Sequence, residues 1–327
     1  MSEGIKQVKN VGILTSGGDA PGMNAAIRAV VRSGNYYGFK TYGIRKGYHG
    51  LIRGEIDDLD NRSVSEKLQR GGTFLQTARS KAFESEEGVM QGVAMAKVFG
   101  LDVIVIIGGD GSYRGALELS KHGMPVIGLP GTIDNDIACS DYTIGYDTAM
   151  NTAMEAIDKL RDTASSHERC SVIEVMGRRA GYIALNVGIS CGAEVVIIPE
   201  IPHNIEKNII KPLLEARNRG KQHYIVVISE GLGNTIELAK TIEEMTGIES
   251  RTTILGHLQR GGSPSTRDRQ MASYMGIHAI ECLKEGRLNR IVAYKNGEII
   301  DIDIEEALQA KKTIRQEDLD RALILSI

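Results

Sequence analysis

Short apolar runs alternate with helix-length amphipathic stretches along this chain. The clearest strand candidates are 11–15, 102–107, 125–129, 171–175, 194–198, 224–229 and 252–255. Several of them have no polar face, which is typical of parallel strands that are covered by helices on both sides. The alternation therefore predicts a layered α/β architecture with largely parallel sheets.

The stretches between these runs have helical periodicity. Residues 148–160 place small and apolar side chains at intervals of three and four, as an amphipathic helix requires. A second helix is expected to follow Ser112, a candidate N-cap, and to end at Gly123, a candidate left-handed stop. A third, residues 23–31, is rich in alanine and valine.

Two of the strands lead into the same tripeptide. The first is followed by Gly17-Gly18-Asp19 and the second by Gly108-Gly109-Asp110. Glycines let a backbone approach phosphate closely, and the start of the following helix favours negative charge. Each loop alone could be an ordinary tight turn, but ligands bind at the carboxyl edge of such sheets. We expect the two loops to lie together at that edge.

Asp110 and the segment 130–136 add candidate catalytic groups. Asp110 offers the hard oxygen ligand that Mg²⁺ prefers. The segment Pro130-Gly131-Thr132-Ile133-Asp134-Asn135-Asp136 carries two carboxylates, one of which could take a proton from an attacking hydroxyl. Such clusters also occur in plain turns. The spacing of Gly109, Gly111 and Gly115 departs by one from a dinucleotide fingerprint, and no acidic residue follows for a ribose, so a dinucleotide site is rejected.

Composition narrows the function classes. The chain has 327 residues, which favours two domains. Its net charge of −3 and its lack of tryptophan argue against nucleic acid as a partner, and no apolar run is long enough to cross a membrane. The four cysteines are far apart, which indicates a reduced, cytoplasmic setting rather than a zinc site.

Seven segments together resemble the bacterial ATP-dependent 6-phosphofructokinase family. They are LTSGGDAPGMNAAIR, RGGTFLQTAR, VIIGGDGSYRGA, GLPGTIDNDI, YTIGYDTA, SSHERCSVIEVMGRRAG and TTILGHLQRGGSPS. The resemblance implies transfer of the ATP γ-phosphoryl group to the 1-hydroxyl of fructose 6-phosphate. It also implies two α/β domains with the active site in the cleft between them. We assign residues 1–140 to an ATP-binding domain, completed by a segment near 255–305, and residues 141–254 to a fructose 6-phosphate-binding domain.

The resemblance also implies roles for individual residues. Asp134 is expected to be the general base, with Thr132 and Arg178 stabilising the group in transfer, and Asp110 to hold Mg²⁺. The expected ATP contacts are Gly18, Tyr48, Arg79, Ser80, Gly109, Asp110, Gly111 and Ser112. The expected sugar-phosphate contacts are Thr132, Ile133, Asp134, Arg169, Met176, Gly177, Arg178, Glu230, Arg251, His257, Leu258, Gln259 and Arg260. Arg169 and Arg251 would reach in from a neighbouring subunit of a homotetramer.

The identity of the donor and the regulation also follow from the resemblance. Pyrophosphate-using relatives typically carry Asp and Lys where this chain has Gly111 and Gly131, so we expect ATP to be the donor. An effector site for ADP or phosphoenolpyruvate is expected at Arg28, Arg32, Arg161, Gly192, Glu194, Arg219, Lys221 and His223. Asn61-Arg62 departs from the family pattern at this site, which leaves the strength of regulation open.

Two alternatives stay open at this point. One is another kinase with a GGDG loop, such as a lipid or NAD kinase, although such enzymes are not expected to combine the 132–136 segment with His257–Gly262. The other is a catalytically silent nucleotide-sensing subunit. The presence of both Asp110 and Asp134 argues against it.

Overall fold

The computed structural model describes residues 8–325 as two compact units. The first unit comprises 8–133, Ile137–Asp147 and Arg260–Lys312, and the second comprises Asp134–Asp136, Thr148–Gln259 and 313–325. The division thus falls after Asp147 rather than near residue 140. The segment before it stays with the first unit because the Ile144 amide donates to the Pro130 carbonyl at 2.7 Å.

The strands form two sheets. They are β1 Asn10–Ser16, β2 Lys40–Ile44, β3 Ile56–Leu59, β4 Val103–Gly108, β5 Val126–Pro130, β6 Cys170–Val175, β7 Val195–Ile197, β8 Tyr224–Ser229, β9 Ser250–Ile254, β10 Arg290–Lys295 and β11 Glu298–Asp303. The first unit has the strand order β11-β10-β5-β4-β1-β2-β3, and the second has β7-β8-β6-β9. Only the outermost pairs, β2 with β3 and β10 with β11, are antiparallel. The predicted α/β architecture with largely parallel sheets is confirmed.

Helices cover these sheets. They are α1 Met23–Tyr36, α2 Gly47–Arg53, α3 Glu86–Val98, α4 Asp110–Lys121, α5 Tyr146–Ser165, α6 Tyr182–Ser190, α7 Lys211–Asn218, α8 Thr235–Thr246, α9 Thr266–Lys284, α10 Ile304–Gln309 and α11 Gln316–Leu325. None of those in the described range is long and apolar enough to cross a bilayer. Short 3₁₀ turns at Ala82–Glu84, Glu230–Leu232 and Gly256–Arg260 and a π-helical turn at Glu206–Ile210 complete the secondary structure.

Each unit has its own apolar core. In the first, every residue of β4 is buried, as expected for a central parallel strand. In the second, Val172, Val226 and Ile228 pack with Leu213 and Ile242 from the covering helices. The close contact between α1 and α9 requires a glycine, because a Cβ on Gly276 would lie 2.6 Å from the Ala29 Cβ.

The seven predicted strands all form, within one or two residues of their predicted bounds. The predicted start of α4 is wrong. The helix begins at Asp110, with Gly109 in extended backbone before it and no side-chain cap. Ser112 already lies inside the first turn, where its amide donates to the Gly109 carbonyl. Gly123 does have the left-handed conformation expected after the helix, with φ of +79°.

Candidate active site

Three loops start side by side at one edge of the sheet in the first unit. Ser16 at the end of β1 pairs with Gly108 at the end of β4, and Gly108 pairs with Pro130 at the end of β5. Because these strands are parallel, the loops that follow them leave from the same carboxyl edge. The expected juxtaposition of the two Gly/Asp loops is therefore present, and the third loop lies next to them. This edge is where open α/β sheets bind ligands.

The first loop lies under an arginine. Arg260 Nη1 donates to the Asp19 carbonyl at 3.2 Å, and its guanidinium lies so close to Gly18 that a Cβ there would overlap it. The absence of a side chain at Gly18 therefore leaves room for the Arg260 guanidinium. Two predicted binding residues, one expected on ATP and one on the sugar phosphate, are in contact within the first unit.

The second loop presents Asp110 and open space. The Asp110 side chain is 42 % exposed, and its Oδ2 accepts from Arg114 Nε at 2.9 Å. Apart from its chain neighbours and the backbone of its own helix, no atom of residues 8–325 lies within 4 Å of the position a Cβ would take on Gly111. The start of α4 thus offers backbone amides, a positive helix end and an accessible carboxylate in one place.

Tyr48 packs against this loop at the start of α4. Its ring is buried and stacks on Phe83 with centroids 4.1 Å apart, and its hydroxyl donates to the Ser112 carbonyl. Burial raises the pKa of Tyr48, so the hydroxyl stays protonated as a donor. The structure therefore gives Tyr48 a supporting role at the start of α4, and its contact with ATP remains a prediction.

Arg79 and Ser80 follow a segment that is tied to the end of β1. Thr15 Oγ1 donates to the Gln76 carbonyl and Thr77 Oγ1 donates to the Gly17 carbonyl, at 2.9 and 2.8 Å. Arg79 is exposed just beyond these hydrogen bonds. The anchoring threonines were not singled out from the sequence, because nothing in their spacing distinguishes them from other loop threonines.

The third loop is largely buried. Thr132 is 8 % exposed, Asp134 6 % and Asn135 5 %. Asn135 has a left-handed φ of +52°, a conformation that few residues other than glycine and asparagine tolerate. The sequence predicted a loop of carboxylates, and the structure shows that this loop is packed rather than freely solvated.

The second unit has a strained turn after β6. Gly177 and Arg178 have φ of +144° and +59°, and Glu230 Oε1 accepts from both of their amides, at 3.2 and 2.6 Å. Gln259 is fully buried, and its Oε1 accepts from the Met176 amide at 2.7 Å. Glu230 and Gln259 therefore hold the turn that presents the exposed Arg178 side chain. His257 and Leu258 are exposed on the neighbouring 3₁₀ turn.

Arg169 and Arg251 lie at the amino ends of the strands of this sheet, whereas Met176–Arg178 lie at the carboxyl ends. Arg169 directly precedes β6, and Met176–Arg178 directly follow it. Both arginines contact the carboxylate of Glu249, Arg169 at 2.8 Å. The hydrogen bond from Arg169 is the largest of the effects that lower the pKa of Glu249. A strand of six residues spans roughly 20 Å, so the structure does not bring these arginines to Arg178 of the same chain.

Six of the predicted effector residues belong to the second unit, and four of them form pairs. Lys221 pairs with Glu194, which is 2 % exposed and accepts from the Ile225 amide at 2.6 Å. Arg161 donates to the Cys191 carbonyl and lies 3.5 Å from His223 Nε2. Gly192 follows Cys191 with a left-handed φ of +59°, and Arg219 is exposed after α7.

The remaining two effector candidates, Arg28 and Arg32, lie one turn apart on α1 in the first unit. Burial, followed by the neighbouring charge of Arg32, lowers the pKa of Arg28. Asn61 accepts from Asn35 at 3.2 Å on the same surface.

The fold and these loops define a class of protein: an α/β protein of two units, with glycine-rich loops suited to phosphate at the carboxyl edge of one sheet. The chain belongs to the phosphofructokinase family, whose model matches residues 10–283. It is 56 % identical over 319 residues to a protein of Clostridium botulinum named ATP-dependent 6-phosphofructokinase, covering 98 % of this chain and 100 % of that protein. A protein of the same name from Clostridium acetobutylicum is 54 % identical over 319 residues, again covering 98 % of this chain and all of that protein.

Solved structures support the same fold. Phosphofructokinase from Saccharomyces cerevisiae matches with a TM-score of 0.87 and 32 % identity, over 98 % of this chain; the chain spans 48 % of that larger protein. A pyrophosphate-dependent phosphofructokinase from Marinobacter aquaeolei matches with a TM-score of 0.84 but only 22 % identity, over 97 % of this chain and 91 % of that one. The second match shows a shared fold and does not bear on the donor.

Proposed function

We propose that this protein transfers the γ-phosphoryl group of ATP to the 1-hydroxyl of fructose 6-phosphate, giving fructose 1,6-bisphosphate and ADP. One observation carries the proposal: the three predicted loops start from paired residues at one edge of one sheet. Relatives that are more than half identical over their whole length, and that are named ATP-dependent 6-phosphofructokinase, support both the donor and the acceptor.

The first unit would hold ATP. The start of α4 and the Gly17–Asp19 loop lie at the carboxyl edge of the sheet, where backbone amides would bind phosphate, and the space at Gly111 leaves room for a nucleotide phosphate. The partly exposed carboxylate of Asp110 fits Mg²⁺, which favours oxygen ligands. When bound, Mg²⁺ would neutralise phosphate charge. Arg79, exposed on its anchored segment, would add a further positive charge.

Asp134 would act on the acceptor. Its carboxylate would take the proton of the 1-hydroxyl as the oxygen attacks phosphorus, while Thr132 and Arg178 would stabilise the group in transfer. Glu230 and Gln259 hold the turn that carries Arg178, so the backbone of Arg178 would be in place before substrate arrives. His257 and Arg260 would bind the 6-phosphate.

We further propose that each acceptor site is completed by a second copy of the chain in a homotetramer. Within one chain, Arg169 and Arg251 lie at the opposite edge of the sheet from Arg178, roughly a strand length away. Both have exposed guanidinium surface, so they could reach a phosphate held by a neighbouring subunit. Free thiols at all four cysteines fit a cytoplasmic enzyme.

Regulation by ADP or phosphoenolpyruvate is part of the proposal. Arg161, Lys221 and His223 form a basic group beside the buried Glu194, and Arg28 and Arg32 form a second one on α1. Both groups suit a phosphorylated effector. An ADP-dependent shift of the fructose 6-phosphate saturation curve is the expected signature.

The assignment of the base is tested by Asp134→Ser in an aldolase-coupled assay. We expect kcat to fall by about 100-fold or more, the range typical of a lost general base, with the dissociation constant for ATP nearly unchanged. Asp57→Ser is the matched control. Asp57 lies on the edge strand β3, is half exposed and forms an ion pair with Arg45. An Asp134→Ser enzyme with kcat within a few-fold of the wild type would contradict the assignment.

A further inference from the structure

Asp268 is a buried carboxylate outside the predicted binding residues. It lies in the first turn of α9, where its own amide donates to the N-cap Ser265, and its side chain is fully buried. Its Oδ1 accepts from the Tyr142 hydroxyl at 2.5 Å and from the Gly145 amide at 2.7 Å. Both donors belong to the segment Tyr142–Gly145, so one buried carboxyl group anchors both ends of that short segment.

The anchored segment holds the third loop. Thr143 Oγ1 donates to the Thr132 carbonyl at 2.6 Å, and the Ile144 amide donates to the Pro130 carbonyl at 2.7 Å. A parallel bridge between Gly131 and Ile144 extends the sheet past the end of β5. Thr143 is fully buried, so its hydroxyl is shielded from solvent and the carbonyl of Thr132 accepts its hydrogen bond.

The surroundings of Tyr142 keep its hydroxyl protonated. Burial, followed by the charge of Asp268, raises the pKa of Tyr142, so the hydroxyl remains a donor. The guanidinium of Arg267 lies over the Tyr142 ring, 4.9 Å from its centroid, and adds compensating charge. A buried carboxylate contributes less to stability than apolar packing of the same volume, but directional hydrogen bonds fix positions that apolar contacts leave adjustable.

We propose that Asp268, Tyr142 and Thr143 are positioning residues that fix the backbone of Thr132 for phosphoryl transfer, an inference that rests on the proposed function. All of these contacts lie within the first unit. Asp134 follows Thr132 by two residues in the chain. Displacement of catalytic groups by even 1 Å can lower rates by up to about 100-fold. The effect should therefore fall on kcat rather than on the binding of ATP.

Thr143→Val tests the proposal, because valine keeps the shape and removes the hydroxyl. We expect kcat to fall about tenfold or more, with the KM for ATP within twofold of the wild type, whereas Thr143→Ser should keep most of the activity. The matched control is Thr41→Val. Thr41 is also a buried threonine of the first unit, and its hydroxyl donates to the Leu59 carbonyl at 2.8 Å between β2 and β3.

Hydrogen–deuterium exchange gives a readout that does not depend on turnover. Peptides that cover residues 128–136 should exchange faster in Thr143→Val and in Tyr142→Phe than in the wild type, and should be unchanged in Thr41→Val. If the two valine variants lose similar thermal stability but both keep wild-type kcat and exchange, the three residues are merely structural and the proposal is overturned. A wild-type protein that is inactive on ATP and fructose 6-phosphate would contradict the proposed function alone. The exchange rates of residues 128–136 would still test whether Asp268, Tyr142 and Thr143 fix the backbone of Thr132.

Discussion

Gly111 and Gly131 were both connected with the choice of ATP, yet their surroundings differ. Outside its own helix backbone and chain neighbours, a Cβ on Gly111 would meet no atom of residues 8–325 within 4 Å. One on Gly131 would lie 2.8 Å from Ile107 Cγ2 and 3.2 Å from Met23 Cε. A side chain at residue 131 would therefore have to displace its neighbours, at a cost of about 1–3 kcal/mol. Of these two glycines, therefore, Gly111 is the one that can be substituted without displacing its neighbours.

Gly111→Asp should lower kcat/KM for ATP at least tenfold, because a carboxylate there would repel the nucleotide phosphates. The melting temperature should not fall, because glycine is a poor helix residue and an acidic side chain is favoured in the first turn of α4. Gly111→Ala is the control for volume and should keep ATP activity within about threefold. Equal losses in the two variants would show that crowding, and not charge, matters at this position.

At the scale of single residues, the sequence indicated which residues belong to the candidate site, but not which of them contact one another. The motifs pointed to Gly18, Arg260, Glu230 and Gln259. Nothing in the sequence indicated that Arg260 lies against Gly18, or that Gln259 is fully buried on the Met176 amide. These contacts join residues 83 to 242 positions apart, so local patterns carry no trace of them.

At the scale of elements, α4 begins earlier than its most obvious capping residue. Ser112 was the expected N-cap, but its carbonyl accepts from Tyr48 and its side chain is buried near Gly108. Tertiary packing therefore outweighs the local capping preference. Four strands were not predicted, β2, β3, β10 and β11, and the two outermost of them have a similar explanation. β3 and β11 form the two edges of the sheet and carry several charged residues, so neither has the apolar run that identified the central strands.

Tyr48→Phe tests whether the support of α4 by Tyr48 matters. Removal of the hydroxyl leaves the Ser112 carbonyl without this donor, which should lower the free energy of unfolding by about 1 kcal/mol and weaken ATP binding several-fold. Thermal unfolding and ATP titration measure the two effects. Tyr42→Phe is the control, because no hydrogen bond involves the Tyr42 hydroxyl among residues 8–325. Unchanged ATP affinity in Tyr48→Phe would count against a role of Tyr48 in shaping the loop.

At the scale of the whole molecule, the chain passes between its two units more than once. The return to the first unit, expected near residue 255, occurs at Arg260, and the expected end near 305 lies at Lys312. The last helix, α11, was not foreseen as part of the second unit. It packs on α6 and β7, although its sequence reads only as a short amphipathic segment. Alternation of strands and helices predicts layers, but it does not say to which layer a terminal helix returns.

The choice of donor is the central claim for the molecule as a whole. A solved relative of the same fold is named for its use of pyrophosphate, so the fold alone does not decide between the donors. The residues that bear on the choice are Gly111, with its open space, and Gly131, where a side chain would press on Ile107.

The most direct measurement is the initial rate of fructose 1,6-bisphosphate formation from fructose 6-phosphate with Mg²⁺, supplied in parallel with ATP or with pyrophosphate. Aldolase coupling detects the product whichever donor is used. The proposed function predicts rapid turnover with ATP and a rate at least 100-fold lower with pyrophosphate. Turnover with pyrophosphate and none with ATP would contradict it.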